Sequence, residues 1–228
     1  MKIWDKKRNE VPSFSAALGI KKGDVVQIAG SGGKTTLSYT IANENSHLKV
    51  AVVTTTKRFA PKDNAVLLKD GEKLDITAIK GDFAEIGVLD DIGKIGWIGE
   101  ENYALLKSWA DIIVAEVDGS KRLPLKACAE YEPVLLKDAA KTVVVCGLSA
   151  MGKKIEDVCH RYALVKDEIK EGTPVSEKEI LFLLNKYYKN RYPNLDITFI
   201  LNQADTDEIL TKAMNILSDI DGFACKMM

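Results

Sequence analysis

Val25-Val26-Gln27-Ile28-Ala29-Gly30-Ser31-Gly32-Gly33-Lys34-Thr35-Thr36 is the stretch on which the fold turns. A short apolar run with β-branched residues ends in glycines, and a lysine and two threonines then open a helical pattern. Strand, glycine turn and helix start are the parts of a phosphate-binding loop. Glycine has no Cβ, so Gly30, Gly32 and Gly33 let backbone N–H groups come close to an anion, with Ser31 in the same cradle. Lys34 then reaches the β- and γ-phosphates, the Thr35 hydroxyl ligates Mg²⁺, and Thr36 completes the phosphate-holding set. A glycine-rich strand-to-helix turn that binds nothing is the alternative.

The bulk properties agree with such a domain. The chain has 228 residues, 46% of them apolar, and a net charge of −1. That is enough for a substantial core and reads as one domain over 1–228, globular and not disordered. Balanced charge gives no reason to expect nucleic acid or a membrane surface as partner. No apolar run reaches the length of a membrane span, and Met1-Lys2-Ile3-Trp4-Asp5 does not begin a signal peptide, so a cytoplasmic protein is expected. Cys128, Cys146, Cys159 and Cys225 are scattered and read as free thiols, several of them in the core.

Outward from the loop, the spacing predicts further parallel strands. Ser13 caps a short helix ended by Gly19, and a helix from about Gly33 to Asn45 follows the loop. The second strand, Lys49–Val53, runs into Thr54-Thr55-Thr56-Lys57, hydroxyls and a cation at the sheet edge where such folds bind ligands; an ordinary threonine-rich strand end is the alternative. Residues 61–99 lose the pattern and read as an inserted β segment of hairpins or a meander. After a helix over Glu100–Trp109, the strand Ala110–Ala115 leads to Glu116-Val117-Asp118-Gly119, where an acidic pair at a strand end suits Mg²⁺ or its attacking water. A polar strand end with a turn is the competing reading. Arg122–Ala127 reads as a loop, and Lys121, just before it, with Arg122 and Lys126 forms a basic set that could meet a γ-phosphate or an anionic second substrate. Gly152 to about Glu171 reads as helical, and Ser176 with Glu179 as a capping box.

The strand Asp196–Leu201 ends in Asn202-Gln203-Ala204-Asp205. This is similar to the N-K-x-D guanine-reading motif of GTPases, with Gln203 in place of lysine. Asp205 would accept from the two guanine donors that adenine lacks, which favours GTP; a helix cap at Asp205 or Thr206 is the alternative. The short G-x-x-G-K-T of Gly30–Thr35 is instead similar to Mur ligases, which implies ATP.

Taken together, G-S-G-G-K-T-T, V-V-T-T-T-K, E-V-D-G-S-K-R-L-P-L-K-A and G-L-S-A-M-G-K-K-I-E-D-V-C-H-R resemble the YqeC family, over nearly the whole chain from about Ser13. The chain departs from the family pattern at Cys128 and Tyr131, so no role is carried over to those positions. The resemblance implies a three-layer α/β fold of the P-loop NTPase type, with a mainly parallel sheet. It also implies an accessory protein of selenium-dependent molybdenum hydroxylases, with such an enzyme or its cofactor-maturation proteins as partner. Lys34, Glu116 and Asp118 are the candidate catalytic residues, and Thr35, Glu116 and Asp118 the candidate Mg²⁺ ligands of a slow NTP hydrolase. A Mur-like ligase or small-molecule kinase, with an anionic acceptor on Arg122, Lys126 and His160, is the alternative.

Overall fold

The computed structural model describes residues 1–61 and 65–227. The chain begins with β1 (Lys2–Trp4), α1 (Phe14–Leu18), β2 (Val25–Gly30), α2 (Lys34–Glu44) and β3 (Val50–Thr54). The segment after it gives β4 (Arg58–Phe59), β5 (Ala65–Leu68), β6 (Phe83–Leu89) and β7 (Lys94–Gly96); the part of it at 62–64 lies outside the described residues. Then come α3 (Glu100–Trp109), β8 (Ile112–Glu116), β9 (Leu125–Lys126), β10 (Lys141–Gly147), α4 (Ile155–Val158) and β11 (Cys159–His160). The chain closes with α5 (Glu177–Leu184), β12 (Ile197–Asn202), α6 (Asp207–Leu217) and β13 (Gly222–Lys226).

The fold is three-layer α/β with a mainly parallel sheet. The strand order is β1-β13-β12-β10-β2-β8-β3-β6-β7-β4, with β5 on β6. Strands β2, β3, β8, β10, β12 and β13 all pair in parallel. Alternate residues of one strand therefore feed opposite layers. Val26 and Ile28 of β2 pack with Phe14 of α1 and with Leu37 and Ile41 of α2. Val25 and Ala29 join the other face with Leu106 of α3, Ile180 of α5 and Ala213 of α6. Gln27, the polar residue of this strand, is buried but satisfied: it donates to Thr142 Oγ1 at 2.9 Å and accepts from Leu136 N–H at 2.9 Å.

The helix starts follow local chemistry. The Ser13 hydroxyl accepts from Ala16 N–H, and Gly19 ends α1 at φ +60°. Ser176 and Glu179 close the capping box of α5. Strand β2 sits between β8 and β10, so the connections diverge at its carboxyl end, which is where open α/β sheets form a ligand crevice.

Four features differ from the sequence reading. Residues 1–22, which read as a basic, polar lead-in with no strand, contain β1, which pairs antiparallel with β13, Ile3 facing Cys225. The 61–99 segment is not simply a meander: β6 and β7 are antiparallel, but β5 runs parallel to β6 and β6 parallel to β3. The stretch over 152–171 forms only the single turn α4 and a 3-10 turn at Tyr162–Leu164. Its Cys159-His160 is drawn into pairing with Leu125-Lys126, which also makes that part of the cationic loop a strand. No helix of the described residues is long and apolar enough to cross a membrane.

Candidate functional site

The glycine loop leaves β2 where its neighbour β10 crowds it. Gly30 has φ +96°, and a Cβ there would lie 2.1 Å from the Val145 carbonyl oxygen. Ser31 donates its hydroxyl to the Pro124 carbonyl at 2.8 Å. Asn202, at the end of β12, donates to the Gly32 carbonyl at 2.8 Å, which fastens the loop across the sheet. Helix α2 then starts with a bond from Leu37 N–H to Gly33 O at 2.9 Å. Ahead of it, among the described residues, the N–H groups of Lys34, Thr35 and Thr36 find no acceptor. Open donors of this kind at a helix start carry partial positive charge and suit an anion.

Lys34 folds back beneath the loop. Its Nζ donates to Gly30 O at 2.7 Å, lies 3.4 Å from Ser120 Oγ and pairs with Asp118 Oδ1 at 3.2 Å. The lysine is 5% exposed and Asp118 is 2% exposed. Asp118 Oδ2 also accepts from Gly30 N–H at 3.0 Å and from the Tyr188 hydroxyl at 3.3 Å, and faces Lys126 Nζ at 3.0 Å. Lys126 lies 2.8 Å from Glu132 Oε2, and Glu132 pairs with Arg161. Five side chains of alternating sign, Lys34, Asp118, Lys126, Glu132 and Arg161, thus run from the glycine loop to Arg161, which lines the same cleft.

That cleft has a volume of about 940 Å³. The glycine loop and Asn202 line it, together with Lys121, Arg122, Tyr131, Glu132, His160 and Arg161. Glu116 enters it from the end of β8, held in register with Thr54. Its Oε1 lies 3.4 Å from Arg58 Nη1 but receives no hydrogen bond among the described residues. Arg58 also pairs with the buried Glu85, whose other oxygen accepts from Tyr39 at 2.5 Å. Burial, and then the Arg161, Lys126 and Lys121 cations, push the His160 imidazole down to about 4, so it is neutral at pH 7. The four thiols are buried. Desolvation raises Cys128 to about 11 and Cys146 and Cys159 to about 12, which keeps them protonated and unreactive.

Gly32, Gly33, Lys34, Thr35, Thr36, Thr56, Lys57, Glu116, Asp118, Lys121, Arg122 and Asn202 all line the cleft. Gly30 and Ser31 are not among its lining residues. Thr54 and Thr55 do not reach it: the Thr54 hydroxyl donates to Thr56 O at 2.7 Å, and that of Thr55 to Val134 O at 2.9 Å. Lys57 lines the rim but its ammonium is held by Asp90 at 2.8 Å. Lys126, read as a loop cation, is instead in β9 between two carboxylates and off the cleft. Asp205 is exposed and off the cleft, and the cap of α6 is Thr206, which accepts from Ile209 N–H at 3.2 Å. Sequence reasoning missed Arg58, Glu85, Tyr131 and Tyr188. Only Arg58 carried a local signal, since it directly follows Lys57 at the end of the threonine run.

The family model described as YqeC protein matches residues 26–163, more than half of the chain and the part that holds the loop, Glu116, Asp118 and His160-Arg161. The chain is 30% identical over 156 residues to YqeC of Escherichia coli (strain K12), a match that takes in 64% of this chain and 61% of that protein. Among solved structures, a crystal structure of FlhF complexed with GMPPNP and Mg²⁺ superposes with a TM-score of 0.43 at 13% identity, over 89% of this chain and 64% of that one.

Proposed function

The chain belongs to the YqeC family, and we propose that it binds a nucleoside triphosphate, GTP or ATP, with Gly30–Thr36 around the phosphates. One observation supports this most directly: three open N–H groups at a helix start share a cleft with a buried lysine and the Glu116 carboxylate. Lys34 is already neutralised by Asp118, so an incoming phosphate competes for an ammonium that is held in place, with no flexible side chain to order first.

Mg²⁺ fits beside the triphosphate on Thr35, exposed in the first turn of α2, and on Glu116, whose Oε1 lacks a donor. The described residues hold no cluster of three metal-ligating side chains, so such an ion would draw its remaining oxygens from phosphate and water. When bound it would neutralise charge on the phosphate oxygens. Asp118 suits the metal less well, because both of its oxygens face cations. In this reading Glu116 orients the attacking water of a slow hydrolysis, and Arg58 faces the charge that develops. The difference between the nucleotide states then acts on a selenium-dependent molybdenum hydroxylase or on its cofactor-maturation proteins. That partner rests on the family resemblance alone.

GTP and ATP titrated side by side into the wild type and Asp205→Ala test the base. A guanine preference that the substitution removes supports reading by Asp205. Equal affinities leave Asp205 as a surface residue flanking the α6 cap. A ligase or small-molecule kinase is the second reading, favoured by Tyr131, His160 and Arg161, which line the same cleft as the loop. Hydrolysis stimulated by a small anion supports it, whereas stimulation by a protein client supports the first.

A further inference from the structure

Beyond the glycine loop, the cleft is lined by residues with features that holding one triphosphate does not require. Its cations are built in at a cost to the backbone. Lys121, Arg122 and Arg161 sit at φ 49°, 63° and 60°, left-handed conformations that side chains other than glycine rarely adopt. Among the described residues only Arg8 and Gln203 otherwise do so without being glycine. Strained non-glycine residues gathered in one cleft are characteristic of binding sites, where the surrounding structure holds them in place.

The side chains are arranged as a receptor. Arg161 is fixed by the buried Glu132, donates to the Tyr131 hydroxyl at 3.1 Å and lies 5.7 Å over the Tyr131 ring, which is 70% exposed. Arg122 lies 5.5 Å over the ring of Phe59, itself 62% exposed at the cleft. The imidazole of His160 lines the same cleft with no hydrogen-bond partner among the described residues. Glu132, the carboxylate that contacts Arg161, is already neutralised by Lys126 and Arg161. An oxyanion beside Arg161 would meet a guanidinium whose neighbouring carboxylate is already paired.

We propose that Arg122, Tyr131, His160 and Arg161 form a second subsite for a small oxyanion, phosphate or carboxylate, bound together with the triphosphate as a co-substrate. This rests on the nucleotide reading of the loop. The two are connected through Lys126, whose ammonium contacts both Asp118 on the Lys34 side and Glu132 on the Arg161 side. The uncharged imidazole can accept a hydrogen bond from a hydroxyl of the same ligand.

The chain has two histidines, so their ring protons can be followed separately by NMR, with the exposed His47 as internal control. Inorganic phosphate and acetate are titrated in turn into the protein saturated with Mg²⁺ and a non-hydrolysable triphosphate. The His160 resonance should shift saturably with at least one of them, and which one identifies the ligand's anionic group. Arg161→Ala should weaken that response roughly ten- to a hundredfold, the scale of one charge-assisted hydrogen bond. Arg122→Ala is the second variant should the first not fold. A His160 signal unmoved by either anion overturns the subsite, as does a shift that neither variant weakens. A shift seen only without nucleotide also overturns it, because the anion is then borrowing the triphosphate's place. If the triphosphate itself does not bind, the proposed function fails, and the same titration of the free chain still tests the subsite.

Discussion

Asp118 Oδ2 lies 3.0 Å from Lys126 Nζ, with the two side chains 0% and 1% exposed, and the other oxygen of the same carboxylate lies 3.2 Å from Lys34 Nζ. One buried negative charge thus faces two buried ammonium groups: Lys34, whose carboxylate partner it is, and Lys126, which also pairs with Glu132. Removing one member of a buried ion pair leaves the other desolvated and unpaired, which costs about 3–5 kcal/mol. Asp118→Asn keeps the shape and removes the charge, and should lose about that much in urea denaturation. A loss under about 1 kcal/mol would show that the lysines find other partners.

The backbone at Lys121 supplies a second test. Its φ of 49° is left-handed, and the residue is exposed. Relief of left-handed strain, about 1–2 kcal/mol, outweighs the extra unfolded-state entropy of glycine, about 0.5–1 kcal/mol. Lys121→Gly should therefore raise stability by up to about 1 kcal/mol, which for a chain of this size is a midpoint roughly 2–4 °C higher in a thermal melt. A clear drop in the midpoint would mean that the lysine side chain holds the loop.

His160 gives a pH signature. Its folded-state value, about 4, is below the ordinary 6.5, first through burial and then through Arg161, Lys126 and Lys121, with Glu132 opposing them. Above pH 6.5 the ring is neutral in both the folded and unfolded chain, and this contribution is fully present. As the pH falls from 6.5 toward 4 the unfolded chain takes up the proton and the folded chain does not, so stability drops. His160→Gln should remove that part of the slope when denaturation midpoints are compared at pH 7, 5.5 and 4.5. Parallel curves for the two proteins would contradict the assignment.

Glu116→Gln keeps the side chain's size and its place at the end of β8. Nucleotide affinity should stay within a few-fold while hydrolysis slows by roughly a hundredfold or more, the scale of a lost acid–base or positioning group. Unchanged turnover would make Glu116 structural, a partner for Arg58 and nothing more.

What could be read from the sequence was what neighbours along the chain determine. The glycine turn, the Ser13 and Ser176 caps and the apolar strands on either side of Gly30 depend on residues a few positions apart, and each is found at its expected place. The ion-pair chain was not legible, because its partners are distant in sequence: Arg161 and Glu132 are 29 residues apart, Gly30 and Asp118 88. Lys126 has the local character of a surface cation, and only the pairing of β9 with β11 carries it into the interior. Glu85 was hidden inside an apolar strand, and spacing alone does not decide whether Asp205 reads a base or only flanks a helix. Strand β1, three residues long, is too short for periodicity to register.

The central claim is that Gly30–Thr36 holds a triphosphate with the help of Lys34. Calorimetric titration of Mg²⁺-GTP and Mg²⁺-ATP into the wild type and Lys34→Met tests it most directly. Methionine keeps the apolar stem that packs beneath the loop, and circular dichroism checks that the variant is folded. The account predicts saturable binding of at least one nucleotide to the wild type and a loss of roughly tenfold to a hundredfold or more in the variant, because a charge-assisted contact is removed. Equal affinity in a folded Lys34→Met protein, or no binding of either nucleotide to the wild type, would contradict it.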